Sequence, residues 1–112
     1  MLEPGERVHI ITRRLFPEDI RRHFVGEVVT FREPLLLVAG YVFIYDPMTG
    51  GWVKRADRRT RIFAVADSGL IIHVIPRDTV LEDVVYETIE GQLVVTDHGS
   101  FRMDIGEFGA AR

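Results

Sequence analysis

The longest uncharged stretch of the chain is LLLVAGYVFIY, at residues 35–45. Successive side chains of a strand point to opposite faces, so this segment presents two apolar faces. The first face comprises Leu35, Leu37, Ala39, Tyr41, Phe43 and Tyr45, and the second comprises Leu36, Val38, Gly40, Val42 and Ile44. Both faces have to be covered, and we expect the cover to come from the rest of the chain or from a second copy.

The other apolar positions alternate or form short blocks separated by Gly, Pro and Asp, a pattern typical of strands and tight turns. It predicts nine short strands, at residues 8–12, 25–31, 35–45, 52–55, 60–66, 70–75, 84–89, 92–96 and 101–105. The pattern at residues 17–24 predicts a short helical turn at most, because Pro17 opens the segment and its acidic residues precede its basic ones. A plain loop is the alternative there.

Three turn sequences predict hairpins. Asp67-Ser68-Gly69 and Asp97-His98-Gly99 both have the form Asp-x-Gly between apolar runs, which suits a tight turn closed by a left-handed glycine. Glu90-Gly91 predicts the third hairpin. The predicted fold is therefore all-β, an antiparallel meander that closes into a small barrel or a bent sandwich. We expect one domain over residues 1–112, with residues 106–112 as a frayed tail.

Composition limits the chemistry. The 112 residues include no cysteine, which excludes disulfides, thiolate metal sites and a cysteine nucleophile. The longest apolar run is too short for a spanning helix, which needs about 20 residues, and the start lacks the pattern of a signal peptide. We therefore expect a cytoplasmic protein without membrane contact. Phosphate loops, dinucleotide glycine patterns and nucleophile elbows are absent from the sequence, so we expect no cofactor and favour a protein that is not an enzyme.

Charge is unevenly distributed along the chain. The net charge is −3, yet residues 1–75 carry 11 Lys and Arg against 9 Asp and Glu. The segment 54–61, predicted as a basic hairpin, suggests a nucleic-acid site in which cations hold phosphates and Trp52 stacks a base. The candidate residues are Trp52, Lys54, Arg55, Arg58, Arg59 and Arg61. The alternative is a solvated hairpin tip.

Histidine and aromatic positions suggest a second kind of site. His73 shares a strand face with Ile71 and Ile75, and the four histidines show no metal-ligand spacing, so we expect no metal site. His73 is either a base in an apolar pocket or a core or interface residue that is hydrogen-bonded to a neighbour. The candidate pocket residues are Tyr41, Phe43, Phe63 and His73.

Three segments carry a resemblance to known proteins: residues 40–46, 59–63 and 67–72. The chain is similar to small uncharacterised bacterial all-β proteins, and its strand-rich layout loosely resembles Sm-like and SH3-like barrels. The first resemblance implies a bacterial source and no particular activity. The second implies only a small barrel, and no ligand-contacting residue follows from it.

Three functions remain open from the sequence. The leading hypothesis is a non-enzymatic interaction module that forms a homo-oligomer, because residues 35–45 are apolar on both faces. The second is RNA or DNA binding through segment 54–61. The third is a pocket for a small apolar ligand, or a weak enzyme, around His73.

Overall fold

The computed structural model describes residues 2–66 and 69–106. These residues form nine strands, all paired antiparallel, and a single 3₁₀ turn at Leu81–Asp83. The all-β, antiparallel prediction is thus confirmed. The chain divides into two compact units, Met1–Arg77 and Asp78–Arg112. The expectation that residues 1–112 are one domain stays a prediction.

The first unit contains six strands in one sheet. They are β1 (Arg7–Ile11), β2 (Arg22–Arg32), β3 (Leu35–Asp46), β4 (Gly51–Lys54), β5 (Arg59–Ala64) and β6 (Ile71–Ile75). The hydrogen-bonded order is β4-β3-β2-β1-β6, and β5 also pairs with β3. One edge of β3 therefore binds β2, while β4 and β5 share its other edge. The described strands do not close into a barrel, so closure remains a prediction.

The core of this unit lies on the even-numbered face of β3. Its fully buried members are Val8, Ile10, Phe24, Val28, Leu36, Val38 and Val42. Within this face, Gly26 lies opposite Gly40. A Cβ on Gly40 would collide with the backbone of Val25 and Gly26, so only glycine permits the two strands to approach so closely there.

One local prediction in this unit is wrong, and another is decided between its alternatives. Residues 15–19 form bends and turns, as the loop alternative for residues 17–24 expects, and β2 begins at Arg22. The wrong prediction is that β5 and β6, joined by Asp67-Ser68-Gly69, pair as a hairpin: β5 pairs with β3 and β6 pairs with β1. Residues 67 and 68 themselves lie outside the described residues. The long β3 provides an edge for β5, which leaves β6 to bind the free edge of β1.

The second unit is a meander of β7 (Val85–Ile89), β8 (Gln92–Thr96) and β9 (Arg102–Asp104). Glu90 and Gly91 have φ angles of 51° and 80°, as a two-residue hairpin turn of type I′ requires. The hairpin at residues 97–99 is also confirmed, but its left-handed residue is His98, with a φ of 62°, rather than Gly99. Of the predicted tail, residues 106–112, only Gly106 is described, and its N–H donates a hydrogen bond to the Asp104 carboxylate at 2.9 Å.

The carboxylate of Asp97 explains this turn. It accepts hydrogen bonds from the backbone N–H groups of Val80, Gly99 and Phe101, at 2.9, 2.8 and 3.1 Å. Burial raises the pKa of Asp97, but the three hydrogen bonds outweigh burial and hold the pKa below its usual range. The charged carboxylate therefore fixes the conformation of residues 97–101.

Candidate functional site

Three adjacent strands of the first unit place histidines on the odd-numbered face of the sheet. His9 on β1 lies directly opposite His73 on β6, and His23 on β2 lies opposite Ile11. The Nδ1 atoms of His9 and His73 are 3.3 Å apart, and the ring centroids of His9 and His23 are 5.1 Å apart. We call these three residues the histidine row.

Burial keeps two members of the row neutral near pH 7. Burial, together with the charges of His23 and His73, lowers the pKa of His9 well below its ordinary value. Burial first, then His73 and Arg21, lower the pKa of His23 to about 4. Since a neutral ring has one donor nitrogen and one acceptor nitrogen, the contact between His9 and His73 is a hydrogen bond in which one Nδ1 donates. His73 is thus hydrogen-bonded to a neighbour, as one of the two sequence interpretations expects.

The predicted pocket residues do not come together. Tyr41 and Phe43 lie on the odd-numbered face of β3, and His73 lies on the same side of the sheet. Phe63 pairs with Leu36 on the other side, where its ring packs 5.3 Å from that of Phe24. Because Phe63 belongs to the core face, these four residues do not line one pocket.

Aromatic rings and cations are interleaved beside the histidine row. The ring of Trp52 lies 4.3 Å from that of His23 and 5.6 Å from that of Tyr45. The Arg21 guanidinium lies 4.8 Å from the centroid of Tyr45. The Lys54 Nζ and the Arg58 guanidinium lie 4.4 and 5.9 Å from the centroid of Tyr41. We call these residues the aromatic shelf: Arg21, Tyr41, Tyr45, Trp52, Lys54 and Arg58.

The predicted nucleic-acid residues are divided between two sides of the sheet. Trp52, Lys54 and Arg58 belong to the aromatic shelf, but Arg59 and Arg61 pair with Gly40 and Val38 on the core side. The basic segment is not a hairpin, because β4 and β5 follow one another along the same edge of β3.

The arginines on the core side are close to like charges. Burial, together with the charges of Arg22 and Arg59, lowers the pKa of Arg61. Arg59 itself pairs with Asp57, at 2.9 Å between Nε and a carboxylate oxygen. Sequence reasoning did not place Arg22 with segment 54–61, since only the fold of β2 against β3 brings them near.

Apolar side chains remain exposed where β3 begins. Leu35 is 48% exposed and Ile62 is 66% exposed. The register pairs Leu37 with Ile62 and Leu35 with Ala64, so these four residues form one apolar strip on the β3–β5 pair. We call it the β5 strip. The even-numbered face of residues 35–45 is thus buried in the core, whereas the odd-numbered face is covered only in part: Tyr41 and Phe43 are buried and Leu35 is open to solvent.

Two loops at the other end of β3 also expose apolar side chains. In residues 13–21, the Asp19 carboxylate accepts hydrogen bonds from the backbone N–H groups of Leu15 and Phe16, at 3.2 and 3.1 Å. In residues 46–50, the Asp46 carboxylate accepts hydrogen bonds from the Met48 N–H at 2.9 Å and the Thr49 hydroxyl at 3.2 Å. Leu15, Phe16 and Met48 are 71, 61 and 91% exposed.

A shallow depression connects the two loops. Its volume is about 270 Å³, and it is lined by Ile20, Ile44, Tyr45, Asp46, Pro47, Val53 and Arg55. Sequence reasoning considered residues 17–24 only as a helical turn or a plain loop and so missed this surface. No signal in the sequence indicated it, because an Asp side chain usually orders the residues that follow it, whereas Asp19 binds the backbone of Leu15 and Phe16 before it.

Neither metal ligands nor a membrane span is found in the described residues. In residues 2–66 and 69–106, no three His, Cys, Asp or Glu side chains are placed to hold a metal ion. Within the same part of the chain, no helix has the length and hydropathy of a bilayer span.

Comparison with known proteins gives no assignment. No protein-family model, no curated protein and no solved structure matches this chain. The resemblance to small bacterial all-β proteins therefore stays a prediction, and the function has to be argued from the surfaces described above.

Proposed function

We propose that the protein is a β-sheet binding module, rather than an enzyme, that associates with a second copy of itself through the β5 strip. The observation that carries the proposal is the exposed Ile62 on a strand that pairs along one edge only among the described residues. A strand edge presents unpaired N–H and C=O groups to any strand that can lie beside it. Exposed apolar side chains on that strand add a hydrophobic contribution, at about 25 cal/mol per Å² buried.

The charges of β5 are compatible with antiparallel pairing of two copies. If the symmetry axis passes through Ile62, each Arg61 lies opposite Phe63 of the second copy and each Arg59 lies opposite Val65. No arginine then faces another arginine directly. Such a contact is isologous, with the same surface used by both subunits, and it closes at a dimer. The strip alone is smaller than the roughly 1,000 Å² that a stable interface buries, so neighbouring residues of β3 have to contribute.

Light scattering coupled to size-exclusion chromatography tests the proposal. We expect the wild-type protein to have the mass of a dimer at micromolar concentration and to dissociate on dilution. Ile62→Lys places a charge in the strip and should give a monomer with unchanged circular dichroism. Met48→Lys is the matched control, because Met48 is also apolar and exposed but lies outside β5. A wild-type monomer at every concentration, or a dimeric Ile62→Lys variant, would refute self-association through this strip.

The aromatic shelf supports a second candidate function, the binding of single-stranded RNA or DNA. Aromatic rings stack bases and nearby cations hold phosphates, and neither contact requires a particular base sequence. Trp52 is half-buried and packs against Tyr45, over which Arg21 lies, and Lys54 and Arg58 lie over Tyr41 on the same strand. The first unit also carries a net positive charge, with 12 Lys and Arg against 9 Asp and Glu in residues 1–77.

Trp52 provides the readout, because it is the single tryptophan of the chain. We expect a single-stranded oligonucleotide to quench its emission at low salt, and the affinity to fall linearly on a plot of log K against log salt. The double variant Lys54→Gln/Arg58→Gln should bind more weakly, with a salt slope smaller by about 1.4 if both cations contact phosphates of a single strand. Arg32→Gln/Arg102→Gln removes the same charge elsewhere and should bind as the wild type does. Equal affinities for the two double variants would exclude the shelf as the binding site.

A further inference from the structure

The two loops near the end of β3 expose large apolar side chains to solvent. Leu15 and Phe16 extend from residues 13–21, and Met48 extends from residues 46–50. Each loop is ordered by its own aspartate, Asp19 in the first and Asp46 in the second. The Arg14 guanidinium further ties the first loop by donating a hydrogen bond to the carbonyl of Pro17, at 2.9 Å. These bonds fix the loops without burying their apolar side chains.

Both loops border the same depression. Ile20 from the first loop and Pro47 from the second line the same depression, and Ile44 and Val53 form its apolar floor. Val53 is itself exposed. Contiguous exposed apolar surface of this kind marks an interaction site more often than scattered single residues do.

The surroundings of this surface are basic. Five arginines lie in or beside the loops: Arg13, Arg14, Arg21, Arg22 and Arg55. The acids of the same region are Glu18, Asp19 and Asp46, and the carboxylates of Asp19 and Asp46 already accept hydrogen bonds from their own loops. The charge of the surface therefore favours an anionic occupant that also accepts apolar side chains.

We propose that residues 13–22 and 46–50 form a contact site for an anionic membrane surface. In this arrangement Leu15, Phe16 and Met48 enter the boundary between headgroups and acyl chains, and the neighbouring arginines contact lipid phosphates. A protein partner needs cavities that match the projecting side chains, whereas a bilayer accommodates them without a preformed shape. The sequence expectation of no membrane contact rested on the length of apolar runs, which concerns spanning helices and not surface binding.

Binding to vesicles tests the proposal with the full chain. We expect the wild-type protein to co-sediment with vesicles of phosphatidylcholine containing one-third phosphatidylserine, and not with phosphatidylcholine alone. Leu15→Ser/Phe16→Ser should weaken binding roughly tenfold or more, because two large apolar groups no longer leave water. Arg13→Gln should weaken it about fivefold, as the loss of one basic residue near the surface predicts. Glu18→Gln removes a negative charge that repels the anionic vesicle and should strengthen binding.

The control is Val29→Ser/Ile71→Ser, which removes two exposed apolar side chains outside the loops and should bind as the wild type does. Circular dichroism establishes that each variant is folded. Three results would overturn the proposal: no binding of the wild type to anionic vesicles, equal binding to neutral vesicles, or equal loss in the control and the Leu15→Ser/Phe16→Ser variant. The first result would leave an acidic protein surface as the occupant to examine.

Discussion

Individual histidines should make the stability of the protein depend on pH. In the unfolded chain His23 takes up a proton near pH 6.5, whereas in the folded chain it does so near pH 4. Between these values the unfolded state binds more protons, so stability is fully present above about pH 6.5 and falls as the pH is lowered towards 4. For His23 alone the loss is on the order of 3 kcal/mol, and His9 acts in the same direction.

Thermal unfolding followed by Trp52 emission measures this effect, because Trp52 contacts His23 directly. We expect the melting temperature of the wild type to fall steadily from neutral pH to about pH 4. His23→Gln cannot take up the proton and should show a shallower fall. His98→Gln is the control, since His98 is exposed, lies in hydrogen-bond contact with Glu87 and is outside the histidine row. Parallel pH profiles for His23→Gln and the wild type would contradict the assignment.

At the scale of single residues, the hydrogen-bond partner of His73 could not be predicted from the sequence. The interpretation of His73 as a hydrogen-bonded residue is confirmed, but its partner, His9, lies 64 positions away in the chain. The contact depends on the register of β1 against β6, which aligns His9 with His73. A shift of that register by one residue would send one of the two rings to the opposite face. Spacing along the sequence contains no information on this register.

At the scale of elements, the positions of the strands were predictable because the local sequence pattern determines them. All nine strands occur near their predicted positions, because alternation and turn residues mark a strand without reference to its partner. Strand β2 is longer than predicted and begins at Arg22, since Arg22 and His23 pair with Ile44 and Phe43 of the long β3. The tertiary partner thus extends a strand into polar residues that the pattern left in a loop.

Strand pairing was less predictable than strand position. The turn Asp97-His98-Gly99 joins two paired strands, and Asp67-Ser68-Gly69, with the same pattern, does not. Turn residues indicate where the chain reverses, but the available edges of neighbouring strands decide which strands pair. The same reason explains the basic segment 54–61: one edge of β3 is long enough for both β4 and β5, so these strands follow each other instead of forming a hairpin.

At the scale of the molecule, the two units carry net charges of opposite sign. Residues 1–77 carry 12 Lys and Arg against 9 Asp and Glu, and residues 78–112 carry 2 against 8. Both proposed anionic ligands, a single strand and a lipid surface, therefore involve the first unit. The three proposals depend on different residues, Ile62 for self-association, Lys54 and Arg58 for nucleic acid, and Leu15 and Phe16 for membrane. The substitutions that test each function leave the residues of the other two unchanged, and the control Met48→Lys alone also alters the proposed membrane contact.

The two compact units lead to a prediction about folding. The first unit has its own cluster of buried residues, including Phe24, Leu36 and Val42, so we expect a fragment of residues 1–77 to fold. A fragment of residues 78–112 contains three short strands, which bury too little apolar surface for independent stability, and we expect it to be unfolded. Circular dichroism and NMR dispersion measure both fragments against the full chain, and Trp52 emission reports on the first.

The fragment experiment also tests the sequence expectation of one domain. If the fragment of residues 1–77 folds with the Trp52 emission of the full chain, the histidine row and the aromatic shelf are complete within it, because all their residues belong to the first unit. If that fragment is unfolded while the full chain is folded, stability requires residues 78–112 as well. The chain would then behave as a single cooperative domain, as its length predicts.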